Sequence, residues 1–166
     1  MEIVKTAAIT VAFVAGRCAG ADFERLLDAD VRIAGDGATF SAASVADPIA
    51  CAMRLTRLVG EAAAKELVLA GRTADAANAL RLGLVTRVVP GTALGQAARD
   101  LEDRLRALPP LALTAVRDAV RAARNLTPRE ALSVEHEHFR RLIATQDHKA
   151  AVAAFFARRE PAFTGQ

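Results

Sequence analysis

The sequence predicts an α/β domain whose strands come early and whose helices come late. Three observations predict it. The chain opens as strand, glycine-punctuated loop, helix and strand between Thr6 and Ile33. From Pro48 onward apolar residues recur at helical spacing. No internal repeat, low-complexity run or linker divides the 166 residues, a length that buries a proper core as one domain. We therefore read 1–166 as a single domain, with 1–90 as its core of sheet and helix and 91–166 as a helical C-terminal part.

The elements follow in order. Thr6–Val14 is rich in β-branched residues and ends at Gly16, as a buried strand does. Ala15–Gly20 is a glycine-punctuated turn. Asp22–Asp28 is a short helix with an acidic first turn, which suits the helix dipole. Val31–Ile33 is a second strand, turned by Gly35-Asp36-Gly37. Helices are expected at Pro48–Val59 and Glu61–Ala70, with Gly60 between them as a left-handed terminator. Another is expected at Thr73–Leu82, capped by Thr73 and closed by Gly83. Leu84–Val89 alternates toward a strand and stops at Pro90. Helices then run over Leu94–Ala107, Leu111–Ala123, Pro128–Ile143 and Lys149–Arg159. The third opens with a capping box, Thr127-Pro128-Arg129-Glu130, with proline at the first helical position.

Composition excludes several classes. A net charge of +3 with both signs interleaved, and no Trp or Tyr, argues against a nucleic-acid binder. Two cysteines, Cys18 and Cys51, are too few for a disulfide scaffold and point to reduced thiols. Lys5 followed by the apolar run Ala7–Ala15 and Ala19-Gly20-Ala21 imitates a signal peptide, but Glu2 sits in the would-be basic region and Ile9-Thr10-Val11 reads as strand. The run is also too short to span a bilayer. The expected setting is the cytoplasm, with neither membrane nor nucleic acid as partner.

Three ordered segments carry a family resemblance. The first is Ala12–Ala34, ending in Asp30-Val31-Arg32-Ile33-Ala34. The second runs from Arg57-Leu58-Val59-Gly60 through Ala64-Lys65-Glu66-Leu67-Val68-Leu69-Ala70-Gly71-Arg72 and Ala74-Asp75-Ala76 to Leu80–Pro90. The third is the ending, from Asp147 through Ala154-Phe155 and Arg158-Arg159 to Pro161–Gly165. Together they resemble the enoyl-CoA hydratase/isomerase (crotonase) superfamily over essentially the whole chain. The resemblance implies a partial crotonase-type fold: a small remnant sheet carrying an oxyanion loop, with a helical C-terminal region that drives trimer formation in the family. It also implies that this chain begins just before the last of several family strands. A homo-oligomer, or a partner chain supplying the missing strands, is then expected.

Chemistry of this type develops negative charge on a thioester oxygen, which backbone N–H donors at a helix start can hold. By the resemblance, that donor is Ala21, behind Gly20. The next family glycine is Asp22, whose carboxylate opposes a developing enolate unless it turns away to cap the helix. Glu24 falls where many family hydratases carry a catalytic glutamate that acts on the adding water. As residue type alone, it is equally an exposed acid in a helix first turn. The second family glutamate is replaced by Ser44, whose hydroxyl is far too weak an acid to take its place, and the usual double glycine is Ala50-Cys51. Asp47 is either a displaced acid or, favoured on capping grounds, the N-cap before Pro48. Phe139 and Arg158 match family positions near the CoA adenine. Phe139 is otherwise the apolar anchor of its helix, and Arg suits both phosphate and stacking.

Other constellations weigh less. His136 and His138 lie two apart on a helix and point opposite ways, so they cannot share a metal ion. Arg117, Arg121 and Arg124 form a basic stripe opposite Val116, Ala119 and Val120, the pattern of a solvated face. Cys18 reads as a small packing residue. The expectation is an enoyl-CoA hydratase/isomerase-like protein acting on or binding an acyl-CoA thioester. It uses no metal or redox cofactor, coenzyme A being part of the substrate. The alternative is a catalytically impaired accessory or assembly subunit of a polyketide-type biosynthetic system, which Ser44, Asp22 and the shortened front favour.

Overall fold

The structure, a computed structural model, describes residues 1–6, 8–42 and 48–166, and of Pro48 and Ala50 the backbone alone. It divides into two compact units, Met1–Lys5 with Thr10–Asp100, and Thr6–Ile9 with Leu101–Gln166.

The strand expected over Thr6–Val14 is β2 (Ile9–Val14), and a further strand that was not expected, β1 (Glu2–Thr6), precedes it. Only β2 is apolar enough to announce itself, because β1 lies at the edge of its sheet, where Glu2 and Lys5 are tolerated. β2 runs parallel to β4 (Val31–Gly35), with Val11 beside Val31 and Phe13 beside Ile33. β4 in turn runs parallel to β7 (Arg87–Val89), giving the order β1-β2-β4-β7 among the described residues.

Part of the Ala15–Gly20 turn is itself a strand, β3 (Arg17–Ala19). It pairs parallel with β5 (Thr39–Ser41), which pairs antiparallel with β6 (Thr73–Asp75). Three-residue strands carry too little periodicity to be read from sequence. β6 also corrects the helix expected from Thr73. The helix α4 is Ala76–Arg81, and its N-cap is Asp75, whose carboxylate accepts from Asn78 N at 2.7 Å. Thr73 is spent on the ladder opposite Ser41.

Around these strands pack α1 (Ala21–Asp28), α2 (Pro48–Val59) and α3 (Glu61–Val68). α1 buries Phe23, Leu26 and Leu27, spaced i, i+3, i+4, and lies on β3 and α2. Each such side chain stabilises the unit by about 1.5–3 kcal/mol. Gly60 does separate α2 from α3 and has the positive φ expected of it, 81°, but its ψ of 165° lies outside the left-handed helical well, and it serves as the N-cap of α3.

The other unit holds α6 (Pro110–Ala123), α7 (Pro128–Ile143) and α8 (Gln146–Phe156), while α5 (Leu94–Arg106) spans the division. The capping box of α7 forms on both sides: Glu130 N donates to Thr127 Oγ1 at 3.4 Å, and Thr127 N donates to Glu130 Oε2 at 2.9 Å. α8 starts three residues earlier than expected, because Thr145 caps it by accepting from His148 N. On α6 the expected solvated stripe holds for Arg121 and Arg124, which are exposed, but not for Arg117 or for the opposite valines. Val116 and Val120 are exposed, while Arg117 reaches the Ala8 carbonyl at 2.6 Å and Asp118 at 2.7 Å. A guanidinium can satisfy a carbonyl and a carboxylate together, which valine cannot.

Candidate functional site

The parallel register of β3 and β5 builds the centre of the candidate site. Cys18 and Phe40, both fully buried, sit side by side, and Ala19 lies beside Ser41. The end of β5 thus arrives next to the start of α1. There Gly20 turns the chain with φ 57 and ψ −132, a conformation that suits a residue without Cβ, and it caps α1 with no side-chain bond. The first helical bond of α1 runs from Glu24 N to Gly20 O at 3.1 Å. The N–H groups of Ala21, Asp22 and Phe23 therefore precede the ladder, at the positive end of the helix dipole. Ala21 as a residue is exposed. Such a turn can hold an oxygen carrying developing negative charge.

Asp22 does not cap the helix. Its carboxylate bonds to the guanidinium of Arg25 three residues on, which offsets its charge beside Ala21. Glu24 is half-buried, on the side of α1 that faces α2. Its neighbours there went unnoticed in the sequence. Arg54 donates to Asp28 Oδ2 at 2.6 Å, and Asp28 lies one turn after Glu24 on the same face. Cys51 is fully buried, and burial pushes its thiol up; Arg54 opposes that shift and the Glu24 carboxylate adds to it. The spacing of Cys51 and Arg54, three apart on α2, signals only that they share one face of that helix; that this face meets α1 is a matter of packing. Cys18 is likewise inert: burial, then Asp22, push its thiol up to about 12.

Ser44 and Asp47 lie outside the described residues. Phe139 and Arg158 belong to the other unit, Phe139 on α7 and Arg158 just past α8. Phe139 is 62% exposed, which does not fit the alternative of an apolar anchor for its helix. Arg158 is also exposed and has a left-handed backbone, φ 51. His136 is exposed and His138 half-buried on α7, whose regular helix points them apart. Among the described residues no helix is long and apolar enough to cross a membrane.

Comparison with known proteins gives the family of the chain. The family model described as enoyl-CoA hydratase/isomerase matches residues 1–166. A probable enoyl-CoA hydratase of Mycobacterium bovis is 38% identical over 159 residues, 93% of this chain and 62% of its own length. The 2,3-dehydroadipyl-CoA hydratase of Escherichia coli is 32% identical over 160 residues, 94% of this chain and 63% of its own. Among solved structures, an enoyl-CoA hydratase subunit of Geobacillus kaustophilus superposes with a TM-score of 0.83 at 33% identity, covering 94% of this chain and 62% of that one. The chain thus spans about three-fifths of the length of the relatives it matches.

Proposed function

Because this chain belongs to the enoyl-CoA hydratase/isomerase family, we propose that it binds an acyl-CoA thioester and acts on it at the start of α1. The Ala21 N–H donates to the thioester oxygen, and Glu24 moves the proton of the water that adds across the double bond. The observation that carries this reading is the Gly20 turn, which leaves the Ala21 N–H ahead of the helical ladder with Glu24 on the same turn. The names of the relatives, hydratases of CoA esters, support the substrate class. Addition of water and transfer of a proton need neither metal nor redox group, so the CoA portion belongs to the substrate alone.

Phe139 and Arg158 serve the nucleotide end of that substrate, supported by the exposure of both side chains. The chain works as an oligomer, with itself or with a partner chain that completes the sheet. Support comes from the outward-facing Val116 and Val120 on α6 and Phe155 and Phe156 on α8, large apolar side chains that association would cover. A second reading, an accessory subunit without turnover, is favoured by Ser44 standing where the family has its second carboxylate.

A crotonyl-CoA hydration assay, paired with calorimetric titration of CoA and light scattering, tests all three parts. Turnover supports the enzyme, and CoA binding without turnover supports the accessory subunit. A monomer that neither binds CoA nor hydrates the substrate overturns both.

A further inference from the structure

The end of the chain folds back on α8 and is held at both sides of that helix's N-terminus. The buried carboxylate of Asp147 accepts from Thr164 N at 2.7 Å and from Gly165 N at 2.9 Å. In return, Gln166 O accepts from Gln146 N at 2.7 Å and Asp147 N at 3.1 Å. α8 is 11 residues long, about 16 Å at the usual helical rise. The return segment from Arg159 to Thr164 reaches about 20 Å when extended. That leaves almost no slack, so the chain must reverse at once where α8 ends.

It does so at Arg158. Arg158 N bonds to Phe155 O at 3.2 Å and Arg159 N to Ala154 O at 3.0 Å, the paired closure of a Schellman turn. The residue at that corner must be left-handed, and glycine is the usual occupant. Here it is arginine at φ 51, the one non-glycine residue with positive φ among those described. An exposed arginine held in a conformation that glycine takes without strain points to a use for its side chain.

We propose that Asp147 is a positioning residue: its clasp on the tail holds Arg158 in the left-handed turn and so fixes the guanidinium where it meets the phosphate groups of CoA. The inference rests on the acyl-CoA reading above for its ligand, while the clasp itself rests on the geometry of α8 and the tail. Arginine makes charge-assisted, often bidentate bonds to phosphate, whose strength depends on orientation.

The test uses the full chain as wild type, Arg158→Gly, Asp147→Asn and the double variant, each melted and titrated with CoA. Arg158→Gly relieves the turn and raises Tm by about 2–4 °C. In the Asp147→Asn background, where the amide keeps one acceptor oxygen and loses the other, the clasp is weakened and that gain shrinks. Each single variant weakens CoA binding several-fold, and the double loses no more than the worse single, the signature of two residues acting as one unit. Should Asp147→Asn fail to fold, Gly165→Ala takes its place. Gly165 has φ 75, and an added Cβ there would sit 3.2 Å from Pro110 Cγ, so alanine loosens the clasp without changing charge.

An equal Tm gain from Arg158→Gly in both backgrounds overturns the clasp. CoA binding by Asp147→Asn at wild-type affinity overturns the positioning role. No CoA binding by wild type, with the melting coupling intact, overturns the acyl-CoA reading and the guanidinium's target with it, but not the clasp.

Discussion

Arg54 and Asp28 meet at 2.6 Å between α2 and α1, one turn past Glu24. The contact joins the two helices on the side of α1 that carries the half-buried Glu24, whose charge is felt by both Cys51 and Arg54. Being largely exposed on the Asp28 side, the pair contributes at most about 1 kcal/mol to stability. Its value lies in orientation.

The first prediction concerns that glutamate. Glu24→Gln keeps shape and removes charge, so kcat for crotonyl-CoA hydration falls by about 10²-fold or more. Tm stays within a degree or two, because Glu24 is outside the apolar core. Unchanged turnover would reduce Glu24 to an ordinary first-turn acid.

Phe139 gives the second. Because its ring is exposed on α7, Phe139→Ala leaves stability within about 0.5 kcal/mol, the usual range for surface substitutions. CoA affinity falls in calorimetric titration all the same. A large drop in Tm of the isolated chain would show that the ring packs against something after all.

The third concerns Arg32, buried within β4. Its Nε donates to Leu84 O at 3.0 Å and a second nitrogen donates to Ala29 O. Arg32→Ala strands both carbonyls away from water, at a cost of about 1–3 kcal/mol each. Urea denaturation should show the loss as a lower midpoint with no change in slope. A variant as stable as wild type would mean the two bonds contribute nothing net.

pH supplies the fourth. The Cys18 thiol rises from 9.0 in the unfolded chain to about 12 in the folded protein. Its folded-state pKa is the higher, so its contribution to stability is complete below pH 9. As the pH climbs from 9 toward 12 the unfolded chain loses the proton first, and that stability is progressively lost. Cys18→Ala should flatten the alkaline limb of Tm against pH. A thiol reagent at pH 8 should label neither Cys18 nor Cys51 until the chain unfolds, since both are fully buried. Rapid labelling of the native protein would contradict their burial.

Much of the fold was legible because long amphipathic helices repeat their signal. α2 and α7 begin and end where the spacing of their apolar residues says, and the caps at Thr127 and Glu130 confirm the start of α7. What sequence could not show was pairing. β3, β5 and β6 are three residues each, and only their mutual register makes Arg17–Ala19 and Thr73–Asp75 strands. The same gap hid the Cys51 and Arg54 surroundings of Glu24, which depend on α2 lying against α1. Arg117 misled for another reason: a basic stripe looks solvated until one of its members finds a carbonyl far away in sequence.

The parallel ladder between β4 and β7 also bears on the order in which this chain can acquire structure. Ile33 has Arg87 as its register partner, and Thr86 N closes on Arg32 O at 2.8 Å. That side of β4 therefore stays unpaired on a ribosome until the ribosome has made everything through β7, whereas β2 and β4 can zip much earlier. Closing so long a loop carries an entropic toll before any contact rewards it. The half-made sheet is the species most exposed to wrong partners. A chaperone that shields one strand edge would find its client in that interval.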